Sequence, residues 1–367
     1  MDYMEGAIAQ AKLSIGSTSP NPAVGAVIVK EGKIVGEGHT QPPGSWHAEM
    51  VALQQAKHQA KGATMYVSLE PCRHYGRTPP CTKAIISAGI IEVHVATVDP
   101  NPLIAGGGIK ELEAAGIRIV LGEREEEAKE LIEAHAKFIT TGLPLVIAKY
   151  AASLDGKIAT YTGHSNWITG EEARDHVHII RSQVDAIMVG VNTIIVDNPQ
   201  LTARPDGDLA ASQPLRVILD SKARTPTTAL ALRQPGKTLI AVTEKADHEA
   251  IGRLRRAGAE IEALPSHDGR VDLSELMHEL GRRNITSVLV EGGGKLHGSL
   301  FDRGLVDKVM AYIAPVIIGG EDAVQSVGGR GAPTMNNAHR LSRVRFQRLG
   351  NDILVIGYLE HLTSVQD

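Results

Sequence analysis

Thiols and aromatic rings are scarce in this chain. Of its 367 residues only two are cysteine, Cys72 and Cys81, and the aromatic residues make up 3%. So few cysteines exclude a disulfide-built scaffold and favour a reducing compartment. So few aromatics argue against a stacking platform for single-stranded nucleic acid. Long runs of Lys or Arg are missing too, and a net charge of −4 leaves no basic footprint for a polyanion. No apolar stretch is long enough to span a membrane, and Met1 to Ala11 lacks the basic-then-apolar order of a signal peptide. The expectation is a soluble, cytoplasmic protein that engages neither nucleic acid nor membrane. Its length favours two domains over one core.

The patterning supports that division. Val24 to Val29 and Lys33 to Gly38 read as a hairpin across Glu31-Gly32, and His47 to Gln59 has helical periodicity. A β-rich run, Thr64 to Leu69, precedes Pro71-Cys72. Cys81 opens a helical segment to Ala88, ended by Gly89. Ile91 to Val98 reads as a strand, Gly107 to Ala115 as a helix, and Glu123 to Phe138 as one charged, Ala-rich helix. The sequence Thr140-Thr141-Gly142-Leu143-Pro144 then breaks the pattern, and we place the boundary there, giving domains 1–143 and 144–367. Beyond it, strands are predicted at Leu145 to Ala151, Ala186 to Gly190, Leu215 to Leu219, Thr238 to Val242, Ser287 to Val290 and Lys308 to Ile313. They alternate with helices at Glu171 to Ser182, Ala246 to Ala257, Leu273 to Arg282 and Lys295 to Arg303, and Val344 to Leu359 reads as a closing strand pair. Such alternation means an α/β domain with a mainly parallel sheet.

The two cysteines are spaced like metal ligands. His47-Ala48-Glu49 lies upstream of Pro71-Cys72, and Cys81 follows after eight residues. His-x-Glu followed by Pro-Cys and a second Cys is the pattern of a zinc deaminase. One nitrogen and two sulfurs (His47, Cys72, Cys81) bind Zn²⁺ and leave a tetrahedral position open, as a catalytic site requires. Glu49 then stands beside the metal to move protons while water displaces an amine. A closed structural site that also recruits His74 is the competing arrangement. Cys-x-His spacing strains a single tetrahedron, and Glu49 would lose its purpose.

Four segments together resemble one family: Asn21-Pro22-Ala23-Val24-Gly25, His47-Ala48-Glu49, Leu69 to Cys81, and Asp99-Pro100-Asn101-Pro102. It is the bifunctional riboflavin-biosynthesis deaminase/reductase family. Other cytidine-deaminase-like enzymes share the ligands but usually with a shorter gap between the cysteines. The resemblance implies a cytidine-deaminase-like zinc domain followed by a dihydrofolate-reductase-like α/β domain. The first would deaminate a phosphoribosylaminopyrimidine, with Asn21, His39 and His74 lining the substrate pocket. Two positions depart from the family pattern: Arg73 replaces a common Ser, and Gly107 a common basic residue. Arg73 is expected to supply the phosphate contact that Gly107 gives up.

The second half holds no metal pattern and no Ser-His-Asp arrangement. Val290-Glu291-Gly292-Gly293-Gly294-Lys295 links an apolar strand to a helix, where backbone N–H groups can approach a phosphate. By the same resemblance, Ala151 to Lys157, Ser165 to Thr169 and Gly190 to Arg204 belong to a reductase that takes NADPH and converts a ribosyl group to ribityl. NADPH would be held by Ala152, Trp167, Thr193, Asp197, Ser221 and the turn Gly292, Gly293 and Gly294. The substrate would meet Ser165, Arg181, Leu201, Arg204 and Glu291, with Lys149 managing protons. Arg181 and Arg204 suit a sugar phosphate, since a guanidinium offers paired donors. The family also implies a homodimer or homotetramer. A rival reading keeps only the first chemistry: a zinc nucleoside or nucleotide deaminase with a non-catalytic second domain.

Overall fold

The computed structural model describes residues 2–73, 79–102 and 104–360. The chain divides into two compact units, Met1–Leu143 and Pro144–Asp367.

The first unit is built on a five-stranded mixed sheet. The hairpin Gly25–Lys30 and Lys33–His39 is antiparallel, and Gly25–Lys30 also pairs antiparallel with Thr64–Val67. Glu92–Val95 and Arg118–Leu121 then add in parallel. The helix Ala48–Ala56 packs on the hairpin strand Lys33–His39 at backbone distance. A Cβ on Gly36 would lie 2.2 Å from the Ala52 carbonyl oxygen, and one on Gly38 2.5 Å from that of Ala48. Ala48, Ala52 and Ala56, one helical turn apart, are fully buried. Small residues on both sides thus bring the start of this helix hard against the sheet, and His47 is its N-cap.

Three features of this unit differ from expectation. The helix Tyr3–Lys12 was not anticipated, although its signals are present. The Asp2 side chain accepts from the Glu5 N–H, and Met4, Ala7, Ile8 and Ala11 fill one buried face. The predicted helix Glu123 to Phe138 is two helices, Glu125–Leu131 and Glu133–Thr141. The break at Ile132 (φ −111°, ψ 11°) accompanies burial of that side chain to 4% exposure in the core. Arg118–Leu121 is an edge strand whose exposed arginine and leucine hide the alternation a sequence reading needs.

The second unit centres on a nine-stranded sheet. Its order is Glu260–Leu264, Thr238–Thr243, Leu215–Leu219, Ala186–Gly190, Ser287–Val290, Leu145–Ser153, Lys308–Ala314, Asp352–Leu359 and Leu341–Leu349. The first seven run parallel, and the closing pair is antiparallel. In such sheets ligands gather at the carboxyl ends of the strands. One element there was missed: Val191–Asp197 is a helix, although Val191, Ile194, Ile195 and Val196 read locally as strand. No helix among the described residues is long and apolar enough to cross a membrane.

Candidate active sites

In the first unit, three separate elements deliver the metal-ligating atoms. His47 caps the helix Ala48–Ala56, Cys81 opens the helix Cys81–Ala88, and Cys72 lies on the connection that leads to it. His47 Nδ1 is 3.5 Å from Cys72 Sγ and 3.4 Å from Cys81 Sγ. Among the described residues, this is the one group of three such side chains close enough to share an ion, with ligand atoms within 4.8 Å of one another. The donor set of one imidazole nitrogen and two sulfurs fits a catalytic zinc site, which needs three protein ligands and an open position.

The electrostatics favour a cation there. The Cys81 thiol hydrogen-bonded to the Cys72 sulfur draws the Cys72 pKa down, while the same contact pushes Cys81 up. The two sulfurs thus compete for a proton in the space a divalent ion would occupy. The neighbouring Cys72 sulfur also raises His47. Glu49 is only 3% exposed, and burial, reinforced by the charge of Cys72, pushes its carboxyl up to about 7.

His47, Glu49 and Cys72 open onto a cavity of about 420 Å³, a volume suited to a small ligand. Asn21 lies in its wall. His39 is not among the lining residues, and its Nδ1 faces Gln10 Oε1 at 3.3 Å. His74 lies outside the described residues. The sequence reading missed His135, which reaches the cavity from the helix Glu133–Thr141 with Nδ1 3.0 Å from the Pro20 carbonyl oxygen. Asp99 and Asn101, from the segment Asp99-Pro100-Asn101-Pro102, line the cavity too.

Glu70 acts behind the ligands. Its carboxylate accepts N–H groups from Asp99 and Gly106 at 3.1 and 2.9 Å, and from Gly108 and Ile109 at 2.8 and 3.2 Å. The turn that carries Cys72 is thereby tied to the N-terminus of the helix Gly107–Ala114, where negative charge is favoured. Beside it the two departures from the family pattern meet. A Cβ on Gly107 would lie 2.4 Å from Arg73 Nε and 2.8 Å from its Cζ, so the Arg73 side chain occupies the space that a side chain at 107 would need.

In the second unit, Glu291 follows the strand Ser287–Val290, and Lys149 lies on its neighbour Leu145–Ser153. Arg181, from the helix Glu171–Gln183, forms a bidentate pair with Glu291 at 2.6 and 2.8 Å, and Lys149 Nζ is 3.5 Å from Glu291 Oε2. Burial opposes ionisation of Glu291, but Arg181 and then Lys149 outweigh it and hold the carboxyl at about 2. Burial draws Lys149 below the ordinary lysine range.

Two family models match the chain. The cytidine and deoxycytidylate deaminase zinc-binding region matches residues 1–97, and the RibD C-terminal domain matches residues 144–355. The riboflavin biosynthesis protein RibD of Actinobacillus pleuropneumoniae is 43% identical over 97% of this chain and 94% of its own length. The chain belongs to the RibD family. The RibD of Aquifex aeolicus is 42% identical over 96% of this chain and 97% of its own. The solved structure of Acinetobacter baumannii RibD (form 1) superposes with a TM-score of 0.85 at 37% identity, covering 97% of this chain and 98% of that one. A Thermotoga maritima structure described as a diaminohydroxyphosphoribosylaminopyrimidine deaminase/5-amino-6-(5-phosphoribosylamino)uracil reductase gives 0.82 at 34% identity, with 97% of each chain covered. Like its RibD relatives, the chain combines a deaminase domain with a pyrimidine reductase domain of riboflavin biosynthesis.

The other residues that the RibD resemblance implies lie on the strand Leu145–Ser153, on the helix Val191–Asp197 and in connecting segments of the second unit. Ala152 is fully buried near the end of Leu145–Ser153, and Thr193 and Asp197 lie on the helix after Ala186–Gly190. Leu201 is buried, whereas Ser165 and Arg204 are half-buried. Trp167 is 75% exposed and stacks on Arg174 at 4.7 Å, so it is no core residue. Ser221 Oγ accepts the Val271 N–H at 3.1 Å. The three glycines serve different ends. A Cβ on Gly294 would lie 2.1 Å from the Gln325 carbonyl oxygen, so that glycine admits a neighbouring chain, whereas Gly293 faces open space. Arg181 has three N–H groups engaged, two on Glu291 and one on the Thr202 carbonyl oxygen at 3.2 Å. Among the described residues, Arg204 makes one side-chain hydrogen bond, from Nη1 to Gln200 Oε1.

Proposed function

We propose that residues 1–143 deaminate 2,5-diamino-6-(5-phosphoribosylamino)pyrimidin-4-one hydrolytically, and that residues 144–367 then reduce the ribosyl group of the product to ribityl with NADPH. The observation that carries this reading is Glu49, buried beside the His47, Cys72 and Cys81 triad and opening onto the cavity. These three side chains would hold Zn²⁺, which when bound supplies a Lewis acid that makes water nucleophilic near neutral pH. Glu49 carries one proton of the attacking water to the ring nitrogen of the pyrimidine, and the second, from the hydroxyl so formed, to the amine that departs as ammonia. Asn21 lies in the pocket wall, and the family resemblance alone adds His39 and His74 to it.

In the second unit NADPH, when bound, supplies the hydride. Ala152, Trp167, Thr193, Asp197, Ser221 and Gly292 to Gly294 hold it, while Ser165, Arg181, Leu201, Arg204 and Glu291 meet the substrate. Lys149 gives a proton to the sugar imine, its acidity raised by burial. Arg181 keeps Glu291 ionised against Lys149, which leaves Arg204 the more open guanidinium for the sugar phosphate. The same reading carries a cytoplasmic homo-oligomer, in a compartment that keeps both thiols reduced.

The decisive assay supplies the diaminopyrimidine phosphate and zinc, first without and then with NADPH. Ammonia should be released in both, and NADPH should be consumed only after deamination. NADPH oxidation without prior ammonia release would reverse the order.

Arg73 takes over the contact a basic side chain at 107 would make. Arg73→Ser should raise the KM of deamination roughly tenfold, the loss of one charge-assisted hydrogen bond of about 1.5 kcal/mol. The double variant Arg73→Ser/Gly107→Arg should recover it. An unchanged KM in the single variant would sink the assignment.

A further inference from the structure

The cavity of the first unit has a side chain in its wall that the deamination steps do not use. His135 lines it together with Asn21, Glu49 and Asp99, and comes from the helix Glu133–Thr141. Its Nδ1 is 3.0 Å from the Pro20 carbonyl oxygen. A carbonyl can only accept, so Nδ1 carries the ring proton. Burial is the largest influence on the ring and lowers its proton affinity, against smaller opposing effects of that carbonyl and of Asp99. The imidazole is therefore neutral near pH 7, and Nε2 holds a lone pair. Among the described residues nothing hydrogen-bonds to Nε2. Nor is that atom sealed in. The unpaired side-chain atoms closed off from solvent there are His178 Nδ1, Thr202 Oγ1 and Asp220 Oδ1, all in the second unit.

We propose that His135 is a further substrate-binding residue of the deaminase, accepting on Nε2 an N–H or O–H of the substrate remote from the carbon that loses its amine. The inference rests on the deamination proposed above. Asp99 acts on the ring, whereas Glu49 and the two sulfurs do not, which sets His135 on the wall away from the reacting end. With C2 of the pyrimidine facing Glu49, C5 stands directly across the ring and the ribosylamino arm is attached beside it. The 5-amino group and the ribose hydroxyls are thus the donors that reach the far wall. A lone pair there repels the pyrimidine carbonyl and a phosphate dianion, which bring no proton. The bond from Nδ1 to Pro20 fixes which way the ring faces, against the segment that also carries Asn21.

Two substitutions separate binding from anchoring. Asparagine can place an amide N–H where Nδ1 lies, keeping the bond to Pro20 and losing the acceptor. Glutamine reaches the position of Nε2 with an amide oxygen and gives up the anchor. The zinc-loaded full-length protein, carrying Glu49→Gln to stop turnover, is titrated calorimetrically with the diaminopyrimidine phosphate. Adding His135→Asn should raise the dissociation constant about tenfold, the loss of one hydrogen bond. Adding His135→Gln should leave it close to that of the Glu49→Gln protein. With Glu49 intact, His135→Asn should raise the KM of deamination by the same factor and leave kcat alone. An analogue lacking the 5-amino group identifies the donor. The penalty of His135→Asn vanishes with that analogue if the amine is the partner, and persists if a ribose hydroxyl is. An unchanged dissociation constant in His135→Asn, or the reverse order of the two variants, overturns the inference and leaves His135 as a wall anchor. If the Glu49→Gln protein itself does not bind the pyrimidine, the deaminase reading falls and this inference with it.

Discussion

Glu49→Gln should cut the deamination rate by about 10²- to 10⁴-fold, the range for losing a positioned general acid–base group. Glutamine preserves the shape of a side chain that is only 3% exposed and introduces no new charge. The thiols and imidazole that would bind the ion are untouched, so zinc content, measured by atomic absorption, should match the parent. NADPH oxidation with the deaminated intermediate should match it as well, because that chemistry belongs to the other unit. A variant that keeps even a tenth of the parent rate would show that a different group moves the proton. His135, which lines the same cavity, would then be the next to examine.

The second large effect concerns stability and pH in the reductase unit. Glu291 ionises at about 2 in the folded chain against an ordinary value of 4.5. A carboxyl whose folded pKa is depressed stabilises the fold above its unfolded value, and that stability is lost as pH falls from about 4.5 toward 2. The pair of values corresponds to roughly 3 kcal/mol at neutral pH. Lys149 opposes this by a constant amount over that window, since it stays protonated in both states. Glu291→Gln should remove the Glu291 part of the acid dependence. At pH 7 it should cost about 3–5 kcal/mol, because buried Arg181 and Lys149 then face a neutral amide. Urea unfolding of parent and variant at a series of pH values reads both effects. Their stability curves should converge on acidification. Parallel curves would mean that Glu291 is not held ionised by these partners. Ammonia release by the same preparation reports whether the first unit is intact.

The metal-ligating group of the first unit could be read in the chain because its chemistry is local in sequence. His47, Glu49, Cys72 and Cys81 fall within 35 residues and form one cluster with its flanking carboxylate. What stayed hidden comes from distant segments or needs three dimensions. His135 arrives on a helix whose sequence looks like charged surface, and a lone histidine there gives no signal. Glu70 is quoted within a motif, yet the four amides that define its role come from residues 99 to 109. Arg73 and Gly107 are both visible as departures, but only the fold shows that they compete for one space. Elements failed where tertiary packing overrode local preference, as in the β-branched helix Val191–Asp197, and at the edge strand Arg118–Leu121.

Glu70 also bears on what happens when the ion leaves. A small zinc finger collapses without its metal because no other contact holds the ligands together. Here a buried carboxylate gathers amides from the Asp99 turn and the Gly107–Ala114 helix, none of which touches the ion, and it sits two residues before Cys72. The mould for the ion therefore outlasts the ion. Chelated enzyme should be a dormant reserve that regains activity on metal return at the speed of ligand exchange rather than of refolding, and during that interval its two thiols are its most oxidisable groups.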